Sequence, residues 1–265
     1  MRFLLIALVC FTFSGTSIAT DISISDQQAM LIGKKIFQNE CAGKTACLTS
    51  WNQGEDFPSL GIGHFIWYPK NSNGPFKESF PALVQFMQTR GVQVPSWLSL
   101  AIKTGAPWPS RDLFLAAQNS QKMRQLRKLL SETKSIQTSF MIQRLNQALS
   151  RMFASTPVSE HVAIQQQFDR IASARMGYYA LIDYVNFKGE GTSSSERYQG
   201  KGWGLLQVLQ GMKNADSESG TLISFATAAK AVLSQRVQHA PPDRHEKRWL
   251  AGWKKRINTY TATYD

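Results

Sequence analysis

A chain of 265 residues, 43% of them hydrophobic, is long enough for one large domain or for a small lobe packed on a larger one. No stretch beyond residue 19 approaches the roughly 20 consecutive apolar residues that a membrane-spanning helix requires. The formal charge of +12 directs the protein towards polyanions such as cell-wall polymers, membrane surfaces or nucleic acid. The chain has no zinc-finger spacing, no Gly-rich phosphate loop ending in lysine and no basic region leading into heptads, so no nucleic-acid partner is expected.

Residues 1–19 combine one early charge, Arg2, an apolar run from Phe3 to Phe13 and small residues at Ser17 and Ala19. That pattern is a secretory signal peptide, and it predicts export to the periplasm or the extracellular space. Cys10 follows Val9 rather than the small residue that precedes a lipoprotein cysteine, so no lipid anchor is expected. Cleavage would leave Cys41 and Cys47, an even number in an oxidising compartment, and these are expected to pair. So short a loop is worth about 2 kcal/mol by loop entropy. Its larger effect would be to stiffen the backbone that presents Glu40.

Ser25 or Asp26 N-caps a predicted helix with Ile32, Ile36 and Phe37 on one face, ending near Glu40. Gly43, Lys44 and Thr45 break the period. Leu48 to Phe65 reads as short strands around turn residues Asn52, Gln53, Gly54, Gly61 and Gly63. Residues 20–70 are thus an N-terminal helix and β-hairpin lobe, and residues 71–265 a helical lobe with an extended middle region. In that lobe Phe80, Leu83, Val84, Phe86 and Met87 open the helical periodicity, and Gly91 to Pro109 is an ordered loop with a short helix, held by Trp97 and Trp108. Arg111 to Leu130, Ile136 to Phe153 and Ser159 to Ala174 are amphipathic helices. An apolar helix from Met176 to Phe187, a polar loop from Gly189 to Lys201, an apolar segment from Trp203 to Met212 and helices over Gly220 to Gln235 and Asp243 to Tyr260 complete a mainly α (α+β) chain.

Three segments carry chemistry in order: Glu40 with the hexapeptide Ser59-Leu-Gly-Ile-Gly-His64, then Ala180-Leu-Ile-Asp-Tyr-Val-Asn-Phe-Lys-Gly-Glu190, then Pro242-Asp-Arg244 with Arg248, Trp249 and a basic aromatic tail. Together they resemble the lysozyme-like superfamily, closest to phage-type lysozymes, whose central helix runs Ala-Leu-[Ile/Val]-[Asn/Ser]-x-x-Phe-x-x-Gly. The resemblance covers the two ends of the chain and leaves residues 70–175 without a readable motif. It implies a small β-hairpin lobe packed on a larger helical lobe, and cleavage of peptidoglycan glycan strands by a muramidase or lytic transglycosylase, without cofactor or metal.

Glycosidic cleavage needs a carboxylic acid that donates to the leaving oxygen, and a glutamate closing a mostly apolar helix suits that role. Glu40 is the candidate. Ser59 falls on the family's threonine position and keeps a hydroxyl that holds a water, whereas Gln53 falls on the position of the family's aspartate and cannot act as a base. Glu55 or Asp56 would supply a second carboxylate. A single-glutamate transglycosylase needs none. Gly202-Trp-Gly-Leu-Leu-Gln-Val208 is similar to a transglycosylase segment and, through Tyr198, Gly200, Lys201, Gly202 and Gln207, to plant-type chitinases. Tyr198 and Gln207 are therefore substrate-binding candidates, with a buried structural glutamine the alternative for Gln207. Trp67 and Tyr68 are the aromatic pair placed on the cleft. Glu190 and Glu196 are reserve acids, and His64 is expected to be structural. His161, His239 and His245 lack metal-ligand spacing. A non-catalytic cell-wall-binding or inhibitor-like protein is the competing function, and the sequence sets no oligomeric state.

Overall fold

The computed structural model describes residues 24–74 and 76–262; the leader read at residues 1–19 lies outside them. Among the described residues the first element is α1 (Asp26–Cys41), followed by a three-stranded antiparallel sheet of β1 (Thr49–Ser50), β2 (Ser59–Leu60) and β3 (Phe65–Ile66). Then come α2 (Phe80–Thr89), α3 (Ser96–Ala101), α4 (Arg111–Ala116), α5 (Gln121–Glu132), α6 (Lys134–Ala154), α7 (Val158–Ser173) and α8 (Gly177–Lys188). A two-stranded hairpin of β4 (Arg197–Tyr198) and β5 (Lys201–Gly202) precedes α9 (Leu205–Gly211), α10 (Glu218–His239) and α11 (Lys247–Asn258). The fold is mainly α with small antiparallel sheets.

Local signals account for the helix that carries Glu40. The Ser25 hydroxyl accepts from the Gln28 N–H at 3.2 Å and the Gln28 side chain accepts from the Ser25 N–H at 3.0 Å, a reciprocal cap on two otherwise unpaired donors. At the other end Ala42 adopts the left-handed region with φ 47° and donates to Gln38, which stops the helix just past Glu40. Ile32 and Ile36 bury the inner face against α6. The two helices touch closely at Gly33, where a Cβ would stand 2.4 Å from the Thr138 hydroxyl.

The sheet is anchored to α6 by one fully buried amide. Gln137 accepts from the Ile62 N–H at 2.9 Å and donates to the Leu130 carbonyl at 2.7 Å and to the Thr133 hydroxyl at 3.2 Å. It satisfies polar groups that neither strand nor helix pairs. Register pairs Ser59 with Ser50 and Ile66, and Leu60 with Thr49 and Phe65. Leu60 and Phe65 face the core, which leaves Ser59 on the opposite face. One continuous hydrophobic cluster runs from Ile32 through Leu60, Met141 and Leu181 to Tyr260, so hairpin and helices share a core.

The structure divides two of the predicted helices. Arg111 to Leu130 is split into α4 and α5 because the Ser120 hydroxyl caps a new helix by accepting from the Met123 N–H at 3.2 Å. The last helix begins at Lys247, because His245 takes a left-handed φ of 49° after a short 3-10 turn at Pro242–Arg244.

Candidate functional site

The last turn of α1 places Glu40 where α8 and α11 converge. Asn39 donates to the Tyr179 hydroxyl at 2.5 Å, and that hydroxyl lies 2.6 Å from the Thr259 hydroxyl, so the three elements are joined beside the carboxylate. Directly behind Glu40 the Cys41–Cys47 disulfide closes the chain into a short loop. The Cys47 sulfur is 3.6 Å from His64 Nε2. Because the two sulfurs are bonded to each other, they are not available as thiolate ligands to a metal.

Both oxygens of the Glu40 carboxylate are engaged. Oε1 accepts from Arg256 Nη2 at 2.5 Å and Oε2 lies 3.5 Å from His64 Nδ1, with the Glu40 side chain 12% exposed. Arg256 is itself held by Asp183, through Nε to Oδ2 at 2.9 Å and Nη2 to Oδ1 at 2.8 Å, while the Tyr260 hydroxyl donates to Asp183 Oδ2 at 2.7 Å. The Phe187 ring lies 4.3 Å from the guanidinium. Burial works to lower the Arg256 pKa, but the Asp183 and Glu40 charges outweigh it and hold the guanidinium well above its usual range. The Tyr260 phenol is pushed far up, first by burial and then by the Asp183 charge.

Asp183, Arg256 and Tyr260 are site residues that motif reading missed. Asp183 had one usable signal: a carboxylate inside the apolar run Ala180 to Val185 must have a buried partner. Nothing in the tail distinguished Arg256 from its basic neighbours.

On the hairpin side, Glu55 is half-buried at the turn between β1 and β2. Asn52 donates to its carboxylate at 3.2 Å, and Trp51 Nε1 donates to its backbone carbonyl at 2.7 Å. Burial raises its pKa, while the Asn52 hydrogen bond and the nearby His64 charge pull it down. His64 is thus in contact with Glu40 and within electrostatic reach of Glu55. Asp56 is exposed, so of the two second carboxylates only Glu55 is oriented by neighbouring groups. Ser59 is buried in β2, and among the described residues no group hydrogen-bonds its hydroxyl.

The expectation that Trp67 and Tyr68 line the cleft is corrected. Trp67 is fully buried, 4.9 Å from the Phe80 ring and 6.1 Å from Trp108, with its indole N–H unpartnered. The Tyr68 ring packs on Phe57 at 5.2 Å and its hydroxyl bridges the backbone of Phe76. Phe80 of α2 and Trp108 ahead of α4 cover Trp67, and Phe57 with the Phe76 backbone covers Tyr68, which turns both rings into core.

Tyr198 and Gln207 brace the loop after α8. The Tyr198 hydroxyl donates to Glu246 Oε1 at 2.9 Å, and Glu246 is held by two Arg236 bonds of 2.7 Å each. Gln207 accepts from the Gly204 N–H at 3.0 Å and donates to the Gly191 carbonyl at 3.1 Å, the structural alternative for this residue. A Cβ on Gly191 would stand 2.2 Å from Gln207 Oε1, and one on Gly204 2.0 Å from the Gly191 nitrogen. Close packing therefore explains these glycines. Of the reserve acids, Glu190 takes two hydrogen bonds from Arg151, at 2.6 and 2.5 Å. Glu196 accepts from the Gly191 N–H at 2.5 Å, and burial, together with the Glu190 charge, raises its pKa against that bond.

The chain matches no family model, no curated protein and no solved structure.

Proposed function

We propose that the protein is an exported, lysozyme-like glycoside-cleaving enzyme of peptidoglycan glycan strands, with Glu40 as general acid. The observation that carries this reading is the convergence on one partly accessible carboxylate, at a capped and disulfide-backed helix end, of a largely buried arginine and a histidine, with Glu55 within electrostatic reach of that histidine. The order of the three resembling segments and the positive charge of the chain support the same substrate class.

In this mechanism Glu40 donates its proton to the leaving glycosidic oxygen. Arg256, locked by Asp183 and Tyr260, sets the orientation of the carboxyl group and stabilises the carboxylate left after proton transfer. Because Arg256 occupies Oε1, donation requires that oxygen to be released when substrate enters. The Ser59 hydroxyl holds the attacking water, and Glu55, its pKa raised by burial, accepts the water's proton in a hydrolase. In a transglycosylase Glu40 itself takes the proton of the sugar hydroxyl that closes the anhydro ring.

Gln53, standing where the resembling family has its aspartate, and the closed Arg256–Glu40 contact favour one competing reading, a cell-wall-binding protein without turnover. Product mass spectrometry on intact sacculi separates the readings. Glu40→Gln lowers product release by at least about 100-fold if Glu40 is the acid. Reducing ends mark a hydrolase with Glu55 as base, and anhydro ends mark the single-glutamate route. Wild-type protein that sediments with sacculi and releases nothing overturns the enzyme reading.

A further inference from the structure

A second site lies outside the Glu40 cluster and shares none of its residues. Between α2 and α6 runs a groove of about 370 Å³, within the size range of small-ligand sites. Its walls are two helical stripes: Ala82, Gln85, Phe86 and Thr89 on α2 face Phe140, Gln143, Arg144, Gln147 and Arg151 on α6. The members follow the i, i+3, i+4, i+7 spacing, so each set lies on one side of its helix.

Among the described residues one cation of the groove has no bonded partner. Arg151 donates to both oxygens of Glu190, at 2.6 and 2.5 Å, so that carboxylate is paired with Arg151 rather than with Arg144. Glu78, the other acid in the lining, accepts from the Tyr68 N–H at 2.7 Å. Among the described residues Arg144 has no hydrogen bond and no ion pair within 4 Å, although it is partly buried and feels the charges of both Glu190 and Arg151. Burial holds its pKa below the ordinary arginine range; Glu190 opposes this and Arg151 adds to it. With Lys77 at the rim, the lining carries three cations against two carboxylates that are already engaged. The Arg144 guanidinium is partly withdrawn from water yet still reachable from the groove, and its planar fork matches a carboxylate.

We propose that this groove is a binding site for the carboxylate end of a peptide, with Arg144 receiving the carboxylate in a two-point contact. The Phe86 and Phe140 rings form an apolar floor for the adjoining side chain, and the Gln143 and Gln147 amides face the peptide backbone as donors and acceptors. The mixture of ring faces and amides distinguishes this lining from a bare phosphate site, which needs only cations.

The test titrates the full mature chain with N-acetyl-Ala-Phe as the free acid and as the C-terminal amide, followed by calorimetry and by backbone-amide NMR shifts. The free acid is expected to bind at least about tenfold more tightly than the amide, with shifts confined to α2, α6 and the Glu190 loop. Arg144→Gln removes that preference and Arg144→Lys restores part of it. The exposed Gln147→Ala weakens the acid about threefold and tests the site should Arg144→Gln fail to fold. Equal affinity for acid and amide, competition by inorganic phosphate at equal concentration, or shifts mapping elsewhere would overturn the proposal. So would the absence of saturable binding up to about 10 mM acid. The titration contains no glycan, so failure of the glycosidase reading leaves it unaffected.

Discussion

Asp183→Asn tests the network behind Glu40 without changing side-chain shape. Asp183 is fully buried and accepts three hydrogen bonds, two from Arg256 and one from Tyr260. An asparagine keeps one carbonyl oxygen and turns an NH2 group towards at least one of those donors. That donor is then buried without an acceptor, at a cost of about 1–3 kcal/mol, and the bonds that remain lose the charge on the acceptor, a loss of about 1 kcal/mol each. Glu40 stays on Arg256 Nη2, so the guanidinium keeps one counter-charge. This holds the total near 3 kcal/mol, at the low end of the roughly 3–5 kcal/mol of a fully broken buried pair. For a chain of this length 3 kcal/mol lowers Tm by roughly 6–12 °C. Urea unfolding followed by circular dichroism at pH 7 should show the midpoint falling at constant slope. Asp169→Asn, at an exposed position on α7, serves as the control and should stay within about 0.5 kcal/mol. A loss below about 1 kcal/mol for Asp183→Asn would refute the claim that this carboxylate orients Arg256.

Gln137→Leu fills the same space and strands the Ile62 N–H, the Leu130 carbonyl and the Thr133 hydroxyl contact. It should cost about 3 kcal/mol and abolish hydrogen-exchange protection of the Ile62 amide; retained protection contradicts the anchoring role. Lys188 is pressed on Trp253 at 3.4 Å and Phe187 at 4.0 Å, and burial first, then the Arg236 and Arg256 charges, lower its pKa to about 6 against the opposing pull of Glu246. Between pH 6 and the unfolded value of 10.5 the unfolded chain binds more protons at this group, so its contribution to stability rises with pH in that window. Lys188→Met should therefore stabilise by at least about 1 kcal/mol at pH 7 and flatten the profile above pH 6. Parallel wild-type and variant profiles would show that the amine is not desolvated.

Much of the scaffold was legible because its signals are short-range. The Ser25 cap, the spacing of Ile32 and Ile36 and the turn residues act over three or four positions, so α1, the hairpin and the apolar α8 follow from the order of residues. The same spacing put Glu40 at a helix end and Cys47 within reach of Cys41. Contacts across the chain were not legible. Arg256 meets Asp183 over a separation of 73 residues and Glu40 over 216, and no local pattern singles out one arginine among the basic residues of the tail. Trp67 and Tyr68 carried the right chemistry for stacking on sugars, but the packing of Phe80 and Trp108 on one and of Phe57 and Phe76 on the other decided their burial. For Gln207 a structural role was only slightly favoured over ligand binding until the glycines around it closed on its amide. Periodicity and capping depend on neighbours in sequence and were determined by it alone; ion-pair partners and the exposure of an aromatic ring depend on which distant surfaces pack together, and only the tertiary structure decided those.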